Sequence, residues 1–345
     1  MTSSPPEGPE SPESLPEPPV DPVSPRRPGT STFTIEGRAA PGLFVLGWLA
    51  SIAGIGIIIV GFQAGPGGSA GLLVALGLAV LGIGVVAGAG SQALERKARG
   101  RDPYTGPSPV LLVAASIPLA SVAVVVVGVL IDVIRIDLAQ PAKDLVLVAA
   151  QDGVYVGLVA LLVVGAGALT WREMGFTRDV RGALEDISWG ALFAAPVILV
   201  TYVVSAALIT IFRVVPESPL PATGEAGGFV LHLIAAAVLA PIGEEILFRG
   251  VTTTAWVRSF GVTSGIVRAA LFFAVAHVIL VSAPTVGEGA ALAAVGFAGR
   301  IPIALALGWV FIRRRSIYAS MGLHATFNAI LLTIAELSVG VHASS

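Results

Sequence analysis

The sequence predicts an all-α, polytopic bundle of about nine transmembrane helices with a cytoplasmic N-terminus. Apolar runs of about 20 residues recur along nearly the whole chain, and each is long enough to cross a bilayer as a helix. Hydrophobic residues make up 55% of the 345 residues and charged residues 12%, against roughly a quarter charged in globular proteins. Lysine and arginine are concentrated in alternate connections, as in multi-pass proteins. We therefore expect a multi-pass protein of the cell membrane.

Composition also excludes several classes of function. The formal net charge of −2 indicates no nucleic-acid partner. The chain contains no cysteine, which excludes disulfides, thiolate nucleophiles, Cys-ligated metals and Cys-linked lipids. The partner that composition does indicate is the lipid bilayer.

Residues 1–41 are predicted to form a disordered, Pro-rich cytoplasmic tail. Ten prolines occur up to Pro28 and apolar residues are few, so this segment cannot bury a core. Five acidic residues, Glu7, Glu10, Glu13, Glu17 and Asp21, make it unlike the basic start of a signal peptide.

Nine apolar segments follow the tail, and we group them into two modules. Residues 42–135 form an N-terminal transmembrane module of about three helices, in which Gly84-x-x-x-Gly88 predicts close helix packing. Residues 145–340 form the core. The predicted spans are 43–63, 70–90, 109–131, 145–170, 187–212, 229–256, 264–282, 290–312 and 316–340.

Orientation follows from the positions of lysine and arginine, which resist translocation. With the N-terminus inside, 16 of the 20 fall on the cytoplasmic side and Arg300 lies within a span. The external set contains Arg135, Lys143 and Arg213. Adding or removing one helix would destroy this segregation, so the pattern supports nine spans.

The sixth span carries three ionisable residues, Glu244, Glu245 and Arg249. Each costs about 2.5 to 3.5 kcal/mol near the bilayer centre, so together they indicate a functional site. Glu245 and Arg249 are four residues apart on one helix face and are predicted to form a supporting ion pair. Glu244 is rotated by about 100° and is free to act. Pro241 is predicted to kink the helix or to free the carbonyl of Ala237.

Two later spans carry further polar residues at a similar depth. His277 lies in the seventh span, and His324 and Asn328 share one face of the ninth. At 1.5 Å per residue, Glu244, His277 and Asn328 lie about 18 to 20 Å from the cytoplasmic ends of their spans, and His324 about 12 Å. The sequence therefore predicts that these side chains meet.

The combination Glu244-Glu245-x-x-x-Arg249, Phe273-x-x-x-His277 and His324-x-x-x-Asn328 resembles the CPBP family of intramembrane proteases, also called ABI. This family includes type II CAAX prenyl endopeptidases and bacterial immunity proteins. The resemblance covers roughly residues 145–340, including the Trp171–Phe176 connection.

The resemblance implies an intramembrane endopeptidase that cleaves a membrane-associated peptide or protein. It assigns Glu244 and His277 to activation of a water molecule, and His324 and Asn328 to stabilisation of the oxyanion. No cofactor is favoured, although Glu244, His277 and His324 would make a three-ligand zinc site.

Two other functions remain open from the residues alone. A proton-coupled transporter uses buried Glu, Arg and His side chains as a relay, and it predicts matching broken helices in two halves. A catalytically silent immunity or scaffold protein would bind a membrane partner, but retention of every motif residue argues against it.

Overall fold

The computed structural model describes residues 35, 37–65, 67–216 and 220–343, and within these ranges all the regular secondary structure is helical. The predicted disorder of the tail falls on residues 1–34 and 36, outside the described residues. The α-helices are α1 Pro41–Gln63, α2 Gly68–Arg99, α3 Pro109–Ile134, α4 Gln140–Val159, α5 Val180–Ala191, α6 Ala194–Phe212, α7 Ala226–Ile234, α8 Ala240–Glu245, α9 Thr254–Phe260, α10 Val262–Ala276, α11 Val286–Arg314 and α12 Ile317–Ala343. Three π-helical segments continue or join these helices, at Ala160–Val164, Ala235–Leu239 and Ile246–Thr253.

The all-α, multi-pass prediction is confirmed, with one correction to the seventh span. Eight helical stretches in the described residues are long and apolar enough to cross a membrane. Residues 264–282 were predicted to form the seventh of nine spans. The helix there, α10, has only 15 residues and ends at Ala276. At 1.5 Å per residue it is about 22 Å long, shorter than the hydrocarbon core of about 30 Å. The chain continues without regular helix to α11.

Helices α1 and α2 pack backbone against backbone, as the glycine pattern predicted. A Cβ at Gly84 would come within 2.5 Å of the amide nitrogen of Ser51, and one at Gly47 within 2.8 Å of that of Gly88. Neither position has room for a side chain. The absence of side chains lets these helices approach closely without a polar interface.

Helix α12 is held against α5 by a second pair of glycines. A Cβ at Gly190 would overlap the carbonyl of Ala319, and one at Gly322 would overlap that of Ile187. This contact fixes the helix that carries His324 and Asn328.

The Trp171–Phe176 connection anchors the N-terminal end of α12. Gly175 has φ of +89°, which favours glycine, and its carbonyl accepts a hydrogen bond from the amide of Ile317. Phe176 packs edge-on against Trp171 and Tyr318. Glu173 forms a 2.8 Å ion pair with Arg258 at the end of α9. The connection therefore ties α9 and α12 together below the site.

Candidate active site

Glu244 lies in a short α-helix between two π-helical segments. The first, Ala235–Leu239, precedes α8, and the second, Ile246–Thr253, follows it. The second contains consecutive threonines whose hydroxyls bond to carbonyls five residues earlier, Thr252 to Leu247 and Thr253 to Phe248. Such wide turns occur often at functional sites, because they re-aim side chains within a continuous helix.

The Glu244 carboxylate faces two imidazole rings. Its Oε2 lies 3.4 Å from Nε2 of His277 and 3.9 Å from Nε2 of His324. Within the described residues this oxygen is buried and has no hydrogen-bond partner. The structure therefore brings together three of the predicted site residues, from α8, the end of α10 and α12.

His277 is the C-terminal cap of α10, within the segment predicted as the seventh span. Its Nδ1 lies 2.8 Å from the carbonyl oxygen of Phe273. A carbonyl only accepts hydrogen bonds, so Nδ1 donates, and Nε2 is the nitrogen left to face Glu244. Irregular backbone within a membrane is tolerated only where protein or a polar cavity surrounds it.

The neighbouring carboxylate has different contacts. Glu245 is completely buried, and its Oε1 lies 3.1 Å from Nη1 of Arg249, which is the predicted ion pair. The same oxygen lies 2.8 Å from Nδ1 of His324. A carboxylate oxygen accepts, so Nδ1 of His324 donates to Glu245, and Nε2 of His324 faces Glu244. Glu245 thus orients a site residue, which the sequence reasoning had not assigned to it.

The Phe273 ring contacts both the Arg249 guanidinium and the His277 ring. The Arg249 guanidinium stacks over its ring at 4.4 Å, and the His277 ring lies 4.2 Å from it, centroid to centroid. A cation over an aromatic face is stabilised without a counter-charge. The phenylalanine of the Phe-x-x-x-His pattern therefore holds Arg249 and His277 in fixed positions.

Asn328 does not contact the other predicted site residues directly. Its Nδ2 donates to the carbonyl of Ala236 over 2.8 Å. In the first π segment the amide of Ala240 bonds to the carbonyl of Ala235, so the next amide in the pattern would belong to residue 241. Pro241 has no N–H. The freed carbonyl is thus that of Ala236 and not of Ala237 as predicted, because the helix is π at this point.

Zinc would use the three facing atoms of Glu244, His277 and His324. Both histidines bond through Nδ1 and leave Nε2 free, the usual arrangement for metal-binding imidazoles. As placed, however, the described residues contain no group of three or more His, Asp or Glu side chains arranged to hold a metal ion. The donor types, one carboxylate and two imidazoles, are those of a three-ligand zinc site.

Two further charged residues lie near the site. Asp152 on α4 is buried against Gly243 and interacts electrostatically with Glu244. Arg300 on α11, given no role from the sequence, also interacts with Glu244 and donates to the carbonyl of Gly296 over 2.9 Å. Asp152 lies in a predicted span and could have been singled out, since an ionisable residue at membrane depth indicates function.

Comparisons with known proteins match the region that holds the predicted motifs. Residues 226–330 match the family described as type II CAAX prenyl endopeptidase Rce1-like. No curated protein and no solved structure matches the chain. The matched region is the C-terminal part of the predicted 145–340 core and contains the residues from Glu244 to Asn328. The match supports the resemblance of this part of the chain to the CAAX-type intramembrane proteases.

Proposed function

We propose that this protein is an intramembrane endopeptidase in which Glu244 activates a water molecule to hydrolyse a membrane-associated peptide or protein. The observation that carries the proposal is the convergence of Glu244, His277 and His324 from three helices at one buried point. The family match favours a peptidase over a proton-coupled transporter.

Glu244 and His277 act on the water. One O–H of the water donates to the Glu244 carboxylate and the other to Nε2 of His277, which is free because Nδ1 is held by Phe273. The water oxygen then attacks the peptide carbonyl carbon as its proton passes to Glu244. A positioned general base of this kind contributes about 10² to 10⁴ in rate.

His324 and Asn328 stabilise the oxyanion that forms. Asn328 has a second Nδ2 hydrogen, because only one is needed for Ala236. Nε2 of His324 donates to the oxyanion when the ring carries both protons, while Nδ1 stays bonded to the Glu245 carboxylate. An oriented carboxylate plays the same part toward histidine in serine proteases. Each such donor is worth about 3 to 4 kcal/mol in the transition state.

The intermediate collapses as Glu244 returns its proton to the amide nitrogen. The C–N bond breaks, the carbonyl re-forms, and the products are a carboxylic acid and an amine. Atoms and charge balance with one water consumed, and Glu244 is ionised again. The cycle uses only side chains of this chain.

A membrane-associated substrate fits the surroundings of the site. A groove runs along α12 beside the first π segment and is lined by small and apolar residues, Ala237, Ala325, Thr326, Ala329, Ile330, Thr333 and Ile334. It lies next to the Asn328–Ala236 hydrogen bond. A peptide segment in the bilayer therefore has an apolar approach to the oxyanion donors.

Comparative membrane proteomics of cells with the wild-type protein and with Glu244→Ala tests the proposal and identifies substrates. We expect one or more membrane proteins to accumulate uncleaved in the variant, with new termini present only in the wild type. Identical termini in the two samples, with equal amounts of folded protein, would contradict the proposal.

A further inference from the structure

Asp152 is a buried carboxylate that the proposed mechanism does not use. The residue is 7% exposed, and within the described residues neither Oδ1 nor Oδ2 has a hydrogen-bond partner. Buried polar atoms are nearly always paired, and an unpaired charge at membrane depth is costly. Asp152 therefore has unused capacity to bind a donor that enters the site.

The backbone next to Glu244 is shaped to admit this carboxylate. A Cβ at Gly243 would lie 2.6 Å from Cγ of Asp152 and would overlap Oδ1. The Gly243 amide interacts with the Asp152 carboxylate and favours its charged form, but it is not aligned well enough with either oxygen to satisfy it as a hydrogen-bond donor. Asp152 thus lies against the residue that precedes Glu244, with no side chain between them.

The charges around Asp152 are not balanced from within the site. Its electrostatic neighbour is Glu244, a second carboxylate, and Tyr155 interacts with both. Arg249 is paired with Glu245, and Arg300 donates to its own helix at Gly296. No ion pair among the described side chains includes Asp152. A proton or a cation would balance the two carboxylates, and a cation with several N–H groups would also bond to the free oxygens of Asp152.

We propose that Asp152 determines specificity by binding a cationic side chain, lysine or arginine, that the substrate carries close to the scissile bond. The inference rests on the proposed endopeptidase function, because it uses the position of Asp152 beside Glu244. A cation would form charge-assisted hydrogen bonds with the two free oxygens and offset the repulsion between the carboxylates. A neutral peptide N–H would satisfy one lone pair and leave the charge uncompensated.

Binding is tested with full-length protein in nanodiscs, using Glu244→Gln so that peptides stay intact. The probes are transmembrane model peptides with one lysine moved stepwise along the segment, each matched by a norleucine peptide. Fluorescence anisotropy should show at least about tenfold tighter binding of lysine over norleucine at one position, equivalent to about 1.4 kcal/mol. Adding Asp152→Asn should remove this preference and leave norleucine binding unchanged, whereas Asp152→Glu should retain most of it.

Three results would overturn the inference. The lysine preference could persist in Asp152→Asn, it could be absent at every position, or Asp152→Asn could weaken both peptide series equally. The last result would indicate a structural role. Melting temperatures of the two Asp152 variants show whether each is folded.

Cleavage of the same peptides by the protein with Glu244 intact separates this inference from the proposed function. Cleavage at a fixed distance from the lysine supports both the cation site at Asp152 and the endopeptidase function. Cleavage that depends on Glu244 but shows no lysine preference overturns the role of Asp152 alone. A lysine preference in binding without any cleavage supports the cation site and contradicts the endopeptidase.

Discussion

Oε1 of Glu245 accepts a hydrogen bond from Nδ1 of His324 over 2.8 Å. This bond gives the two adjacent glutamates different functions. Glu245 holds the back of the His324 ring, and Glu244 faces its front at Nε2. Because the same Glu245 oxygen also pairs with Arg249, stability and activity are linked through one carboxylate.

Removing the Glu245 carboxylate should lower both stability and activity. Glu245→Ala leaves the Arg249 guanidinium buried without its counter-charge, which costs about 3 to 5 kcal/mol. We expect a lower folded yield and a lower melting temperature in detergent. Melting curves and size-exclusion profiles of the purified protein measure both.

The double variant Glu245→Leu/Arg249→Met separates the two effects. An apolar pair of similar volume should restore the melting temperature, because replacing a buried ion pair is often neutral. It should not restore cleavage, since His324 still lacks its acceptor. Full activity in a stable double variant would show that the bond to His324 has no role in the reaction.

The hydrogen bond between Asn328 and Ala236 should contribute to stability, because Pro241 has no N–H to bond to the Ala236 carbonyl. Asn328→Ala leaves a buried carbonyl unpaired and should cost about 1 to 3 kcal/mol. In a Pro241→Ala background the new amide can bond within the helix, so the same change should cost less. Thermal unfolding of the wild type, the two single variants and the double variant gives the coupling free energy between positions 241 and 328.

In the same cycle of Asn328→Ala and Pro241→Ala, activity should fall whenever Asn328 is removed, whichever residue stands at position 241. Loss of Asn328 removes an oxyanion donor and should lower kcat by about 10² to 10³ in both backgrounds. Recovery of kcat in the Pro241→Ala/Asn328→Ala protein would mean that Asn328 is structural only.

Treatment with chelators tests whether the water is activated by Glu244 and His277 without a metal or by a bound zinc ion. We expect activity to survive exhaustive treatment with EDTA and 1,10-phenanthroline, because the proposed reaction assigns activation of the water to Glu244 and His277 without a metal ion. The matched control adds zinc back to treated protein. Loss of activity followed by recovery with stoichiometric zinc would replace the metal-free mechanism.

The Glu173–Arg258 ion pair should contribute stability that depends on pH. The Arg258 guanidinium, with Thr170, lowers the pKa of Glu173 from 4.5 to about 2. A lowered folded pKa gives stability that is full above pH 4.5 and is lost as the pH falls toward 2. The pair is partly exposed, so the effect should be at most about 1 kcal/mol.

Melting temperatures of the wild type and Glu173→Gln across this range provide the measurement. The two should differ above pH 5 and converge toward pH 2. A difference that stays constant with pH would assign the effect of the substitution to packing rather than to charge.

The sequence motifs predicted the site residues because ionisable side chains are rare within membrane spans and usually mark a function. Glu245 and Arg249 were predicted to pair from helical spacing, and the structure shows that pair. Spacing along separate helices could not show that Glu245 also reaches His324, because that contact depends on how α8 and α12 pack. Asp152 could have been noted as an ionisable residue in a predicted span, but its contact with Gly243 could not, because that contact is set by the packing of α4 on α8.

The fold was predictable where length and hydropathy decide it. The error was at α10, where apolar residues 277–282 suggested continuation of the helix. The helix instead ends at His277, whose ring bonds to the carbonyl of Phe273. The wide turns around Pro241 were also beyond the sequence pattern, which assumed α-helical spacing and so assigned the freed carbonyl to Ala237.

In the proposed hydrolysis, Glu244 is the general base that takes a proton from the attacking water. The most direct measurement is peptide-bond hydrolysis by purified wild type and Glu244→Gln in proteoliposomes, with substrates identified from the proteomic comparison. Glu244→Gln keeps the shape of the side chain and removes its basicity, so we expect kcat to fall by at least about 10², with an unchanged melting temperature. Hydrolysis by a folded Glu244→Gln protein at the wild-type rate would contradict the account.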